Sequence, residues 1–204
     1  MQLLWITTFS TVLLWSAIQP KDYFIWTLEV LPALIGFAVL VATRKSFPLT
    51  RLCYGLILLH CIILMVGGHY TYEAVPLFDW IKDALQLPRN NFDKLGHFAQ
   101  GFVPAIIARE VLLRKRVVAA GPPWLNFIIV CFCLALSACY ELLEWAVAVL
   151  SGDSADAFLG TQGYVWDTQS DMAMALAGSL IALATLRSVH DRQLTRISHR
   201  MNEP

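Results

Sequence analysis

Long apolar runs separated by short polar connections dominate this chain. Roughly 20 apolar residues are needed to cross a bilayer as a helix. On that measure six spans are expected: Leu3–Ile18, Phe24–Ala42, Leu52–Gly67, Leu95–Leu113, Trp124–Leu150 and Asp167–Arg187. The first and third are short. No alternating ten-residue pattern of a barrel is visible, so helices are the expected form. The fold class expected is therefore all-α, a six-span transmembrane helix bundle in a single multi-pass domain over residues 1–204. Between spans three and four, Leu77, Phe78, Ile81, Ala84 and Leu85 fall on one face of a helical projection. Asp79, Lys82, Asp83 and Gln86 fall mostly on the other, and Pro76 suits a helix start. This predicts a short interfacial helix on the headgroups, with a packed loop helix as the alternative. The first run lacks a positive n-region and a small-x-small cleavage site, so it reads as a retained span rather than a signal peptide.

Charge orients the bundle. Lysine and arginine gather in short cytoplasmic loops. Arg44, Lys45 and Arg51 follow span two, Arg114, Lys115 and Arg116 follow span four, and Arg187, Arg192, Arg196 and Arg200 occupy the tail. These three places share one side only if there are six spans with both ends cytoplasmic. The other short connections are poor in positive charge.

Composition agrees with a membrane protein. The residues are 57% hydrophobic and only 15% charged, with 15 basic side chains against 15 acidic ones. A soluble domain is about one-quarter charged. No dense basic stripe exists to neutralise phosphates, so nucleic acid is not an expected partner; membrane lipids are, and a homo-oligomer stays open. The five cysteines all lie in apolar runs and read as small buried hydrophobes with no disulfide framework. His60, mid-span, reads as a core histidine, and Arg109 as a residue snorkelling to the inner headgroups.

Against that background, a few ionisable residues stand out. Asp93, Lys94 and His97 open span four, Glu141 and Glu144 lie inside span five, and Asp167 and Asp171 open span six. Charged groups are expensive in hydrocarbon and mark functional sites by default. At 1.5 Å of rise per residue, Glu144 is ~9 Å below the outer end of its helix and Asp171 is ~6 Å below Asp167. His97 lies near the outer start of span four, so three helices bring polar groups to one outer depth. Asp93, His97 and Gln100 share a stripe, as do Asp167, Asp171 and Gly178, and Glu141 with Glu144 is an i, i+3 pair. Gly178 permits close helix approach. The connection Ser151 to Trp166, with Gly152, Gly160 and Gly163 among aromatic residues, is expected to lie over the mouth as a lid, and Gln162 belongs to it.

Three chemistries fit such a cluster. In a divalent-metal site Glu141, Glu144, Asp171 and His97 would be ligands, with Lys94, Gln100, Gln162 and Asp167 in support. In an acid–base site Asp93, His97, Glu144 and Asp171 would be the catalytic candidates. In a structural network the same groups would only fix helix packing. A proton-coupled carrier is a further rival, although no inverted repeat or pair of broken helices is visible.

Three motifs carry a resemblance. Asp93-Lys94-Leu95-Gly96-His97-Phe98-Ala99-Gln100-Gly101-Phe102, Glu141-Leu142-Leu143-Glu144-Trp145, and the run from Gln162 to Met172 resemble the YjdF-type bacterial inner-membrane proteins. The resemblance implies a multi-pass protein of the bacterial inner membrane and supplies no reaction. A more distant similarity to the VanZ-like proteins rests on Asp93, Lys94 and His97, an intramembrane glutamate, and Asp171. Ala175 stands where those proteins commonly have an asparagine, and the arginine usual before the last aspartate has no evident counterpart. The function expected is an outward-facing carboxylate and histidine site that binds a divalent cation or a polar lipid headgroup, acting on a lipid-linked substrate if it is an enzyme at all.

Overall fold

The computed structural model describes residues 2–118, 123–151 and 161–202. Among them are seven helices and no strand: α1 (Gln2–Ser16), α2 (Tyr23–Thr43), α3 (Arg51–Tyr70), α4 (Pro76–Ala84), α5 (Phe92–Arg114), α6 (Pro123–Ser151) and α7 (Asp167–Asn202). Four of them, α2, α3, α6 and α7, are long and apolar enough to cross a membrane. At 23 residues α5 is long enough as well, but it carries Asp93, Lys94, Arg109, Glu110 and Arg114. At 15 residues α1 is shorter than a full crossing.

Caps fix several helix starts. Asp22 accepts bonds from the amides of Phe24 and Ile25 at 2.7 and 3.0 Å and so opens α2. Thr50 accepts from the amide of Cys53 and opens α3. Each oxygen satisfies an amide that has no partner inside its helix. The last span was expected to end at Arg187, whereas α7 runs on to Asn202. Arginine, glutamine and methionine propagate a helix about as readily as leucine does, and they recur beyond Arg187, so hydropathy marks the end of the apolar run and not the end of the helix.

The tightest pairing is between α5 and α7. A Cβ on Gly101 would overlap the carbonyl of Ala175, and one on Gly178 would overlap the carbonyl of Phe98. Two glycines facing the opposite backbone let these helices approach until side chains of both share one layer. Around this pair the order of packing runs α1 to α3, α2 to α3, α3 to α5, α5 to α6, and α6 to α7. One apolar core holds Cys53, Ala105, Ile106, Ile129, Cys133 and Ala182, and another holds Phe9, Val30, Ala33, Cys61 and Met65.

At the end of the bundle where α3 begins, a polar knot ties α3, α5 and α7. Glu110 is fully buried. Its carboxylate accepts from the Thr50 amide (3.0 Å) and hydroxyl (2.7 Å), the Cys53 thiol (3.1 Å), Arg114 Nη1 (2.7 Å) and His190 Nε2 (3.1 Å). Arg109 does not snorkel to headgroups. It is buried and donates to His190 Nδ1 at 3.0 Å and to Asp191 at 2.7 Å, because the continuation of α7 supplies partners that a span ending at Arg187 would lack.

At the opposite end, α4 begins at Pro76 as expected, but its faces are divided differently. Phe78 packs edge-on against Phe92 and Asp79 accepts from Asn90 Nδ2 at 3.1 Å, so both turn toward the bundle. Leu77, Trp80 and Leu85 are exposed. Much of the connection expected to form a lid lies outside the described residues.

Candidate functional site

Lys94 makes the first link between helices. Its Nζ, on α5, donates to Asp167 Oδ1 at 2.7 Å and to Asp171 Oδ1 at 2.6 Å, both on α7. Arg89, just before α5, reaches Asp167 Oδ1 at 2.5 Å and Asp93 Oδ2 at 3.6 Å. Both cations lie over the Tyr164 ring, 5.7 Å from its centroid. The first turns of α5 and α7 are thus clamped by two cations shared among Asp93, Asp167 and Asp171. Arg89 carries much of this clamp, yet its place in a charged loop gave no periodic signal by which the sequence could single it out.

His97 makes the second link. It is buried, with Nδ1 3.1 Å from Gln100 Oε1 and Nε2 3.4 Å from Asp93 Oδ1 and 3.6 Å from Glu141 Oε1. With Nδ1–H donating to the Gln100 carbonyl oxygen, Nε2 faces the carboxylates, as an N–H donor when protonated and as a lone pair when not. Metal-bound histidines are oriented in this way by an acceptor behind the ring. One ligand atom from each of His97, Glu141 and Glu144 lies within 4.8 Å of the others, and the same holds for Asp93, His97 and Asp171. The expected four ligands Glu141, Glu144, Asp171 and His97 therefore divide into two overlapping trios, and Asp171 is the member already held by Lys94.

Pairing is uneven across the cluster. Six buried carboxyl groups, Glu29, Asp93, Glu141, Glu144, Asp167 and Asp171, come together near two permanent cations. Those cations serve the aspartates. Glu141 Oε1 is buried with no hydrogen-bond partner among the described residues, and Glu144, 7% exposed, makes no hydrogen bond or ion pair to them. A bare buried carboxylate is costly, so it is held by a proton or by a cation.

Glu144 and His97 line a cavity of about 150 Å³ whose walls come from α2, α3, α5 and α6 and from Tyr72. His60, expected as a core histidine, lines this cavity. Glu29 of α2 also faces it and accepts from Tyr140 Oη at 3.1 Å. A lone glutamate in an otherwise apolar span was the signal available for Glu29, and the reading of the sequence passed over it. Tyr72 arrives through an unusual turn. Thr71 and Tyr72 have φ of 60° and 51°, the left-handed region that costs a non-glycine residue about 1–3 kcal/mol. The turn seats the Tyr72 ring against Gly67 and Gly96, where any Cβ would collide or crowd.

Gln162 is placed beside the site without entering it. Its side-chain oxygen accepts from the Asn90 amide at 3.1 Å and its Nε2 donates to the Asn90 carbonyl at 2.9 Å. This amide clasp joins the connection before α7 to the one before α5. The cysteines divide as well. Cys53, Cys61 and Cys133 are buried, but Cys131 and Cys139 are exposed on the bundle, where an apolar side chain meets lipid as readily as core.

A third trio, Cys53, Glu110 and His190, also lies within 4.8 Å. Its chemistry is opposite to that of His97. A guanidinium has only donors, so His190 Nδ1 facing Arg109 is the acceptor and Nε2–H is committed to Glu110. A metal there would displace that proton while leaving the ring's second nitrogen without an acceptor behind it.

Comparison with known proteins supports the membrane reading. The family model described as "Predicted membrane protein (DUF2238)" matches residues 1–192. The chain belongs to this family. It is 49% identical over 189 residues to the "Inner membrane protein YjdF" of Escherichia coli (strain K12), covering 93% of this chain and 90% of that protein. The expected YjdF-type membership and inner-membrane location stand on these matches, whereas the VanZ-like similarity is not shown by them. No solved structure matches.

Proposed function

We propose that this protein binds a divalent cation at an outward-facing site made by Glu141, Glu144 and His97 Nε2. The supporting observation is the buried Glu141 Oε1 without a hydrogen bond, beside the unpaired Glu144 and a histidine whose other nitrogen is already occupied by Gln100. Carboxylate oxygens with one imidazole nitrogen suit Mn²⁺, Zn²⁺ or a similar ion. Asp171 and Asp93 flank the same histidine; Asp171 becomes a ligand only by giving up Lys94. For Asp167 and Asp171 a second reading is favoured by their direct ion pairs, that of a clamp fixing α5 against α7.

We also read the bundle as six crossings, α1 to α3 and α5 to α7, with both ends cytoplasmic. Arg44, Lys45, Arg51, Arg114 and Lys115 then share the inner side with the Glu110 knot. The cation site on this reading lies at the depth of the outer headgroups, where a lipid-linked substrate is the reactant within reach. α4 lies along the same interface with Trp80 toward the lipid.

The test is thermal unfolding of the purified protein in detergent, after chelation, with added Mn²⁺ or Zn²⁺. A rise in Tm is expected for the native chain, and its loss in Glu141→Gln with Glu144→Gln. Equal melting with and without ions in the native chain would sink the proposal.

A further inference from the structure

The cavity beside the cation site is not ringed on all sides. α2 packs on α3, α3 on α5 and α5 on α6, but among the described residues α2 and α6 form no extensive interface with one another. The hydrogen bond from Tyr140 Oη to Glu29 spans this seam. Leu136, which lines the cavity, is itself 38% exposed, so the wall reaches the outer surface of the bundle there. Pro32 lines it from α2 and cannot donate to the carbonyl one turn earlier. The helix is therefore least braced beside the seam.

The lining is rich in carboxyl groups. Glu29, Asp93 and Glu144 present carboxyl oxygens, Tyr72 and Tyr140 present rings, His60 and His97 are its basic side chains, and no lysine or arginine contributes to it among the described residues. Such a pocket matches a ligand with positive charge and N–H donors. Its volume of about 150 Å³ is roughly ten times the ~10–15 Å³ that one water needs. Glu144, with no hydrogen bond to the described residues and 7% exposed, is turned into this space.

We propose that the seam between α2 and α6 is a lateral entrance from the bilayer, and that the cavity takes the ammonium of an ethanolamine-type phospholipid headgroup. A seam that opens sideways on lipid selects a membrane-borne amine over a soluble one. Glu29 receives the ammonium, with the Tyr72 and Tyr140 rings beside it, while Glu141 and Glu144 stay with the cation. Tyr140 and Glu29 part to let the headgroup in. This deepens the proposed function by naming the substrate class, and it rests on that outward-facing reading of the site.

Native mass spectrometry of the full-length protein tests it, with phosphatidylethanolamine and phosphatidylglycerol offered in equal amounts in the presence of EDTA. At least a tenfold excess of bound phosphatidylethanolamine is expected, falling toward parity in Glu29→Gln. Equal retention of the two lipids by the native chain overturns the proposal, and so does an unchanged preference in a folded Glu29→Gln protein. If that variant does not fold, competition on the native chain decides. Millimolar free ethanolamine should leave the lipid bound, and displacement by it assigns the pocket to a soluble amine and removes the lateral entrance. A lipid preference that persists when Mn²⁺ produces no thermal shift removes the metal reading alone.

Discussion

The two ends of α5 carry similar residues and opposite chemistry. At the end where α3 begins, Glu110 has a donor for each of its lone pairs, and His190 is held in one tautomer between Arg109 and Glu110. At the other end Arg89 and Lys94 go to aspartates, while Glu141 keeps a bare oxygen and Glu144 faces a cavity. Both knots bury glutamate and histidine against α5, one with α3 and α7 and the other with α6 and α7. A buried polar cluster is thus defined by which lone pairs are left over, and a residue inventory does not reveal that. The first end is closed by its own donors; the second keeps carboxyl oxygens without a donor among the described residues.

Stability should register this difference most strongly at Glu110. Glu110→Ala strips the carboxylate from Arg114, His190 and the start of α3 and leaves buried charge uncompensated, which costs about 3–5 kcal/mol. A large fall in the unfolding midpoint in detergent checks this, and a midpoint near that of the native chain would erase the contrast between the ends. Asp167→Asn comes next. It removes the charge that both Arg89 and Lys94 share, and a loss of about 1–3 kcal/mol is expected for a buried charged group left short of its partner. Asp171 remains for Lys94, which is why the effect is smaller than at Glu110.

The helices were legible because apolar length is a one-dimensional signal. All six expected runs coincide with helices, and Pro76 opens α4 as anticipated. The site was legible in part, since i, i+3 and i, i+4 spacings place residues on a face without stating which helix that face meets. Asp93, His97, Glu141 and Asp171 could be brought together on paper, but not Arg89 from a loop or Glu29 from α2. Nor could spacing foresee that Lys94 would cross to α7 instead of neutralising Glu144. Tyr72 was out of reach altogether, because two successive left-handed residues are set by packing against Gly67 and Gly96 and not by local preference.

Removing charge at the open end should have the reverse sign. Glu144→Gln deletes a buried carboxylate that makes no hydrogen bond or ion pair to the described residues, so the variant should be as stable as the native protein or more so, by up to about 2 kcal/mol in the absence of metal. The same change should abolish the stabilisation by Mn²⁺. Unfolding curves in EDTA and in Mn²⁺ give both quantities. A destabilised Glu144→Gln protein in EDTA would mean that the cluster around His97 is as closed as the one around Glu110.

The smallest effect belongs to the exposed surface, where α4 is tied to the start of α5. The Asn90 amide beside Asp79 holds its carboxyl below the ordinary value of 3.8, with the nearby Lys82 ammonium helping. A carboxyl whose native value is depressed stabilises the fold above its unfolded value and loses that contribution as pH falls through the native one. The tie between α4 and Asn90 should therefore be constant from neutral pH down to about pH 4 and weaken below it. Asp79 is well exposed, so solvent screens the pair and the change stays local. Hydrogen exchange of the α4 amides should quicken on acidification in the native chain and be pH-independent, after correction for intrinsic rates, in Asp79→Asn. If exchange in the two proteins follows one curve, α4 is held by Phe78 against Phe92, and the Asp79 carboxylate contributes nothing to the tie.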